Sequence, residues 1–179
     1  MIKRPIRKNF YKSPAQLRLM TEPGRLTAAA LAAMKREIRV GMTTLELDAI
    51  AEQTIRDLGG IPNFQLVPGY RHTICANVNE NVVHGIPNDK PLEPGDMVSL
   101  DVGAEVKGWN GDAAITVVLP DPKNPDRTER QQRLSKVTHD AMWQGIARLA
   151  SAKHLNEVGT SIASHVNQVS DYGIVQDYI

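Results

Sequence analysis

One cysteine, Cys75, stands alone in 179 residues. No intrachain disulfide can form, and a reducing, cytoplasmic compartment is the expectation. Long apolar runs are missing as well. Nothing approaches the ~18 consecutive apolar residues that a membrane span needs. Neither sign of charge prevails: 21 Lys and Arg against 20 Asp and Glu leave a formal charge of +1. That balance excludes the strongly basic face of a dedicated, sequence-specific nucleic-acid binder. There is no tandem repeat and no low-complexity tract. The first residues, MIKRPIRKNFYKSP, lack the apolar segment of a secretory signal.

What is present has the size and ordinary composition of one domain, long enough to bury a sizeable core. Residues 1–12 form a basic arm, with Lys3, Arg4, Arg7, Lys8 and Lys12 and no acid before Glu22. A solvated arm is the plain expectation; contact with an acidic partner such as ribosomal RNA is the sharper one. Residues 13–179 read as folded. Ser13-Pro14-Ala15-Gln16 carries a capping box, opening a helix that Pro23-Gly24 should kink or split. Thr43-Thr44-Leu45-Glu46 is a second capping box, with apolar positions at 45, 47, 50, 51, 55 and 58 and a stop at Gly59-Gly60.

From 61 to 119 the texture becomes β-rich, in the runs HTICANVN, NVVHGI, DMVSLDVGAEV and AAITVVL. Residues 120–128 are a proline-rich connection. Two helices are expected after it, the second capped near Asn156. YGIVQDYI then begins what reads as a strand. The order fits an α+β domain, with helices packed on one face of a mainly antiparallel sheet.

Within this pattern VSLDVGAEVKGWNGDAAITVVL places Asp101 and Asp112 in strands, where aspartate is depleted. A two-residue turn at Lys107-Gly108 pairs Val106 with Trp109, Gly103 with Asp112 and Asp101 with Ala114. Residues 101, 103 and 105 then share a face with 110, 112 and 114, and the carboxylates are diagonal neighbours ~7–8 Å apart at the backbone. A turn slipped to Val106-Lys107 sets them directly opposite. Two converging carboxylates repel one another and lose hydration unless a cation joins them. Carboxylate oxygen suits divalent Mn, Mg, Fe, Co or Zn. Gly103 and Gly111 are expected to leave room beside them. The alternative is a solvated hairpin face with no metal. Nearby, His84 stands before a Gly-Pro turn, where it can act as donor or proton shuttle. Phe64, Tyr70 and Cys75 can line an apolar pocket.

Taken together, NVNENVVHGIP followed by LEPGDMVSLDVGAEVKGWNGDAAITV closely resembles the type I methionine aminopeptidases, and the likeness extends through GMTTLELD to nearly the whole chain. The resemblance implies a pita-bread fold around two divalent metal ions (Co, Mn, Fe, Zn or Ni). It implies removal of the initiator methionine from nascent chains when the next residue is small, by a cytoplasmic monomer with the ribosome as a partner. Carried over by motif, Asp101 and Asp112 are metal ligands, and His84 hydrogen-bonds substrate near the scissile amide. Tyr70 and Cys75 fall at methionine-pocket positions, Phe64 more loosely. Asn79 and Asn81 fall where a monovalent cation is held through backbone oxygens. The family's further ligands, a histidine in G-H-G and two glutamates, do not occur before Ile179. The chain is therefore expected to be an amino-terminal portion, inactive alone. A non-catalytic binding module on the same fold is the alternative.

Overall fold

The computed structural model describes residues 11–175. Most of the expected basic arm lies outside the described residues, as do the last four residues of the expected strand YGIVQDYI. Met1–Leu119 and Pro120–Ile179 form two compact units.

The first unit is built on two capped helices and a four-stranded antiparallel sheet. Helix α1 spans Pro14–Glu37. Ser13 Oγ accepts from the Gln16 amide at 3.3 Å, and Gln16 Oε1 accepts from the Ser13 amide at 2.8 Å, closing the expected capping box. The helix is not split at Pro23-Gly24. It continues because the residues from Pro23 onward are held by tertiary packing: Pro23, Leu26, Ala30, Leu31 and Met34 are all buried. Burial of that face outweighs the ~3 kcal/mol cost of an interior proline.

Helix α2, Thr44–Asp57, is capped by Thr43 and Glu46 as expected, and Gly59, at φ +80°, follows its end. Its buried stripe is Thr44, Leu47, Asp48, Ala51 and Ile55. Leu45 and Leu58, which the apolar pattern assigned to that stripe, are exposed.

The strands are β1 (Ile61–Pro62), β2 (Ile74–Val78), β3 (Met97–Val106) and β4 (Trp109–Val118). β3 is central, with β4 on one side and both β1 and β2 on the other. Val98, Leu100, Val102 and Ala104 alternate inward from β3 and are fully buried in a core shared with α1 and α2. Alternation sends Ser99, Asp101 and Gly103 to the opposite face. The run NVVHGI, read as β-rich, is not a strand. Val82, Val83, His84 and Ile86 lie in an exposed connection.

In the second unit, α3 (Pro125–Leu149) begins inside the stretch read as a connection. Asn124 caps it by accepting from the Arg127 amide at 3.3 Å. Helix α4 spans Asn156–Val169. Asn156 does not cap it. Glu157 Oε1 instead accepts from the amides of Lys153 and His154, at 3.1 and 3.0 Å. Residues 171–175 carry no regular structure. The expected strand is thus absent from its described part. Val137, Ala141 and Val166 form a small core.

Candidate active site

The two strand aspartates owe their placement to the turn at Lys107-Gly108. Both turn residues have positive φ, +52° and +80°, the sign pattern of the type I′ hairpin that matches strand twist. The Gly108 amide donates to Glu105 Oε1 at 2.6 Å. Asp112 then stands opposite Gly103, and Asp101 opposite Ala114. On its other side Asp101 pairs with Cys75. Cys75, Asp101 and Ala114 therefore form one row across three strands, with Asp112 diagonal to Asp101 on the same face. The slipped register does not occur.

The space beside the two glycines is not left open. A Cβ on Gly103 would lie 2.1 Å from Asn63 Oδ1, so that space is filled by the Asn63 amide. Asn63 Nδ2 donates onward to Asn110 Oδ1 at 3.1 Å. Gly111 alternates to the opposite face from Asp112. A Cβ there would lie 2.6 Å from backbone atoms of Pro23 and Gly24, so Gly111 admits α1 against the sheet.

His84 comes from the connection after β2. Its own φ is +56°, in the left-handed region where histidine is one of the better tolerated side chains. Gly85 fixes its position. The Gly85 amide donates to Asn77 Oδ1 at 2.8 Å, and the Gly85 carbonyl accepts from the Ala76 amide at 2.9 Å. A Cβ on Gly85 would sit 2.2 Å from the Ala76 carbonyl oxygen, so only glycine fits so close to β2.

Phe64, Val67, Tyr70, Cys75, His84, Asp101 and Asp112 line one open cavity of about 370 Å³. The structure thus gathers all six residues that the sequence nominated as catalytic, metal-binding or pocket-lining. Val67 was missed. It follows a 3₁₀ turn at Asn63–Leu66, three residues after Phe64, and i, i+3 side chains eclipse in such a turn. Asn79 and Asn81 lie elsewhere, lining a smaller hollow with Asp96 and Thr44. Asn79, at φ +56°, donates through Nδ2 to Asp96 Oδ1 at 2.8 Å and accepts from the Met97 amide at 3.1 Å.

The cavity is apolar at one end and acidic at the other. Asp101 is half-buried, and its carboxyl is pushed up to about 6 by burial first and then by the charge and hydrogen bonding of Asp112, with His84 opposing. Burial likewise pushes the Cys75 thiol up and the Tyr70 phenol well above its usual range. Tyr70 Oη donates to the Ile74 carbonyl at 2.6 Å and lies 3.4 Å from Cys75 Sγ. The frustrated carboxylate pair fits a cation of hard character. Among the described residues, no third His, Cys, Asp or Glu joins it in a metal-holding group. An ion there would complete its shell with water or with groups beyond the described residues.

One residue that orders this wall was overlooked in the sequence. Asp48 is buried on α2 and accepts through Oδ1 from the amides of Thr73 (2.7 Å) and Ile74 (2.9 Å); its Oδ2 lies 3.0 Å from His72 Nδ1. Its signal was an acid on the buried stripe 44, 47, 48, 51, 55.

Comparison with known proteins places the chain in a family. The description "Metallopeptidase family M24" matches residues 18–179. The chain is 34% identical to methionine aminopeptidase 1 of Bacillus subtilis (strain 168), across 94% of this chain and 65% of that protein. It is 39% identical to methionine aminopeptidase 1 of Mycobacterium tuberculosis (strain CDC 1551 / Oshkosh), across 93% and 63%. The chain therefore spans just under two thirds of the length of these curated relatives. The crystal structure of methionine aminopeptidase from Rickettsia prowazekii superposes with a TM-score of 0.81 at 29% identity, covering 93% of this chain and 65% of that one. A prolidase from Pyrococcus horikoshii OT3, at 21% identity and a TM-score of 0.70, shares the fold.

Proposed function

Because the chain belongs to metallopeptidase family M24, we propose that it carries the substrate-side wall and the first two metal carboxylates of a methionine aminopeptidase. The observation that carries this reading is the single cavity in which Phe64, Tyr70 and Cys75 face His84, Asp101 and Asp112. An unbranched, apolar side chain suits the first three. The substrate proposed is the amino-terminal methionine of nascent peptides with a small second residue, in the cytoplasm, with the ribosome as a partner. The complete protein is proposed to act as a monomer.

Asp101 and Asp112 would hold two divalent ions of the Co, Mn, Fe, Zn or Ni group. Such ions, when bound, supply a polarised carbonyl and an activated water. The chain's own residues do the rest. The apolar end orients the methionine side chain and excludes water from it. Asp101, once deprotonated, provides charge at the scissile end. His84, exposed at the cavity rim, donates a hydrogen bond to the substrate carbonyl as charge develops there. Asn79 and Asn81 are proposed to offer backbone oxygens to a monovalent cation.

The test is metal-dependent release of methionine from a Met-Ala-Ser peptide. The 179-residue chain alone is expected to release little or none, since two carboxylates hold two ions poorly. In a longer form carrying further ligands, release is expected, and Asp101→Asn should abolish it. Binding of the peptide without cleavage in that longer form would favour a non-catalytic module.

A further inference from the structure

Helix α2 reaches the cavity wall through one buried carboxylate that no step of the chemistry uses. Asp48 belongs to neither the apolar pocket nor the acidic pair, yet it holds the segment between them. Its two oxygens divide the work. Oδ1 accepts from the consecutive amides of Thr73 and Ile74, and Oδ2 faces His72 Nδ1. The Thr73 amide precedes β2, which begins at Ile74, so no strand partner would replace Asp48. The held segment is short and carries two cavity residues. Tyr70 hydrogen-bonds the Ile74 carbonyl and meets the His72 ring edge-on with centroids 5.8 Å apart. Cys75 is the next residue along the strand. α2 is itself fixed in the core by Leu47, Ala51 and Ile55, each fully buried. One turn earlier, Thr44 Oγ1 accepts from the Asn88 amide at 2.8 Å, tying the same helix to the chain beyond His84.

We infer that Asp48 is a positioning residue, whose carboxylate sets Tyr70 and Cys75 at the depth a substrate side chain requires. The functional half of this inference rests on reading the cavity as a substrate pocket; the structural half does not. Loss of the anchor frees two buried amides, and an unpaired buried donor is costly enough to open the segment locally.

Cys75 is the only thiol in the chain, so labelling with 5,5′-dithiobis(2-nitrobenzoate) reports on this wall alone and needs neither metal nor activity. In the 179-residue chain, Asp48→Ala is expected to speed Cys75 labelling about tenfold or more at an unchanged far-ultraviolet spectrum. Asp48→Asn should stay within about twofold of the parent, because its amide oxygen still accepts both backbone N–H groups. Thr44→Val, which loosens α2 at its other tie, should leave the rate unchanged. Equal acceleration by Thr44→Val and Asp48→Ala would overturn the inference, as would no acceleration by Asp48→Ala. Should Asp48→Ala fail to fold, hydrogen exchange in the parent decides. The Thr73 amide should exchange about a hundredfold or more below its unstructured rate, and fast exchange overturns the anchor. None of these outcomes bears on peptidase activity, so the anchor and the proposed function fail separately. If both stand, Asp48→Asn in a longer, active form should leave KM near the parent value while Asp48→Ala raises KM more than it lowers kcat.

Discussion

At Asp101, burial and the charge of Asp112 act in the same direction and push the carboxyl up to about 6. An unfolded aspartate titrates near 3.9. The folded chain therefore binds more protons than the unfolded one between those values. The sign follows: stability contributed by protonated Asp101 is present at low pH and lost as pH rises through about 6. In metal-free chain, the urea midpoint should show this loss, and Asp101→Asn should remove it. A divalent ion competes with the same proton, so Mn²⁺ affinity measured by calorimetry should rise as pH passes 6. His84 depends on its neighbour in a different way. Gly85→Ala would force a Cβ to within 2.2 Å of the Ala76 carbonyl. A loss of about 1–3 kcal/mol in urea unfolding is expected, together with a displaced His84 ring signal by NMR. His84 itself was legible in the sequence through its motif. The demand on Gly85 was not, because the carbonyl it abuts belongs to another segment.

The β3–β4 hairpin shows how far an element can be read in advance. Lys107-Gly108 suits a two-residue turn, and that turn fixes every cross-strand pair down to Met97 with Val118. Parity then decides the face of both aspartates without any tertiary information. The same reasoning erred at Gly111. One residue before Asp112, it faces the helices, and its missing side chain serves α1 at Pro23-Gly24. Gly111→Ala should lift α1 from the sheet and cost about 1–3 kcal/mol, read as a lowered melting temperature. The split expected in α1 at Pro23-Gly24 does not occur, for a related reason. Local rules break a helix at proline, but packing along Pro23 to Met34 holds this one together. The apolar count on α2 also misplaced Leu45 and Leu58, because burial depends on which stripe meets the sheet.

Across the whole molecule, the two compact units differ in how much they bury. In the first, Leu26, Met34, Leu47, Ile55, Ile74, Val98, Leu100 and Val102 are all fully buried. In the second, among the described residues, the core of buried apolar residues comprises Val137, Ala141 and Val166. Local free energy of opening follows buried apolar contact. Hydrogen exchange followed by mass spectrometry should therefore find β3 amides the slowest and α3–α4 amides released in an earlier step. Leu100→Ala should cost about 2–5 kcal/mol and speed exchange throughout the first unit. Among the described residues, no helix is long and apolar enough to cross a membrane.

By itself the sequence determined the capping boxes, the convergence of Asp101 and Asp112 under either of two hairpin turns, of which the structure shows Lys107-Gly108, and the likeness to the methionine aminopeptidases. Each rests on residues close along the chain, where turn geometry and strand parity leave few alternatives. Only the tertiary structure decided that α1 runs unbroken, that Asn63 fills the space at Gly103, that Val67 joins the cavity and that Asp48 holds its wall. These depend on atoms 25 to nearly 90 positions apart in the chain meeting at contact distance, apart from Val67, whose side chain is aimed by a single 3₁₀ turn. No local rule contains that information, because it is set by how the helices pack on the sheet.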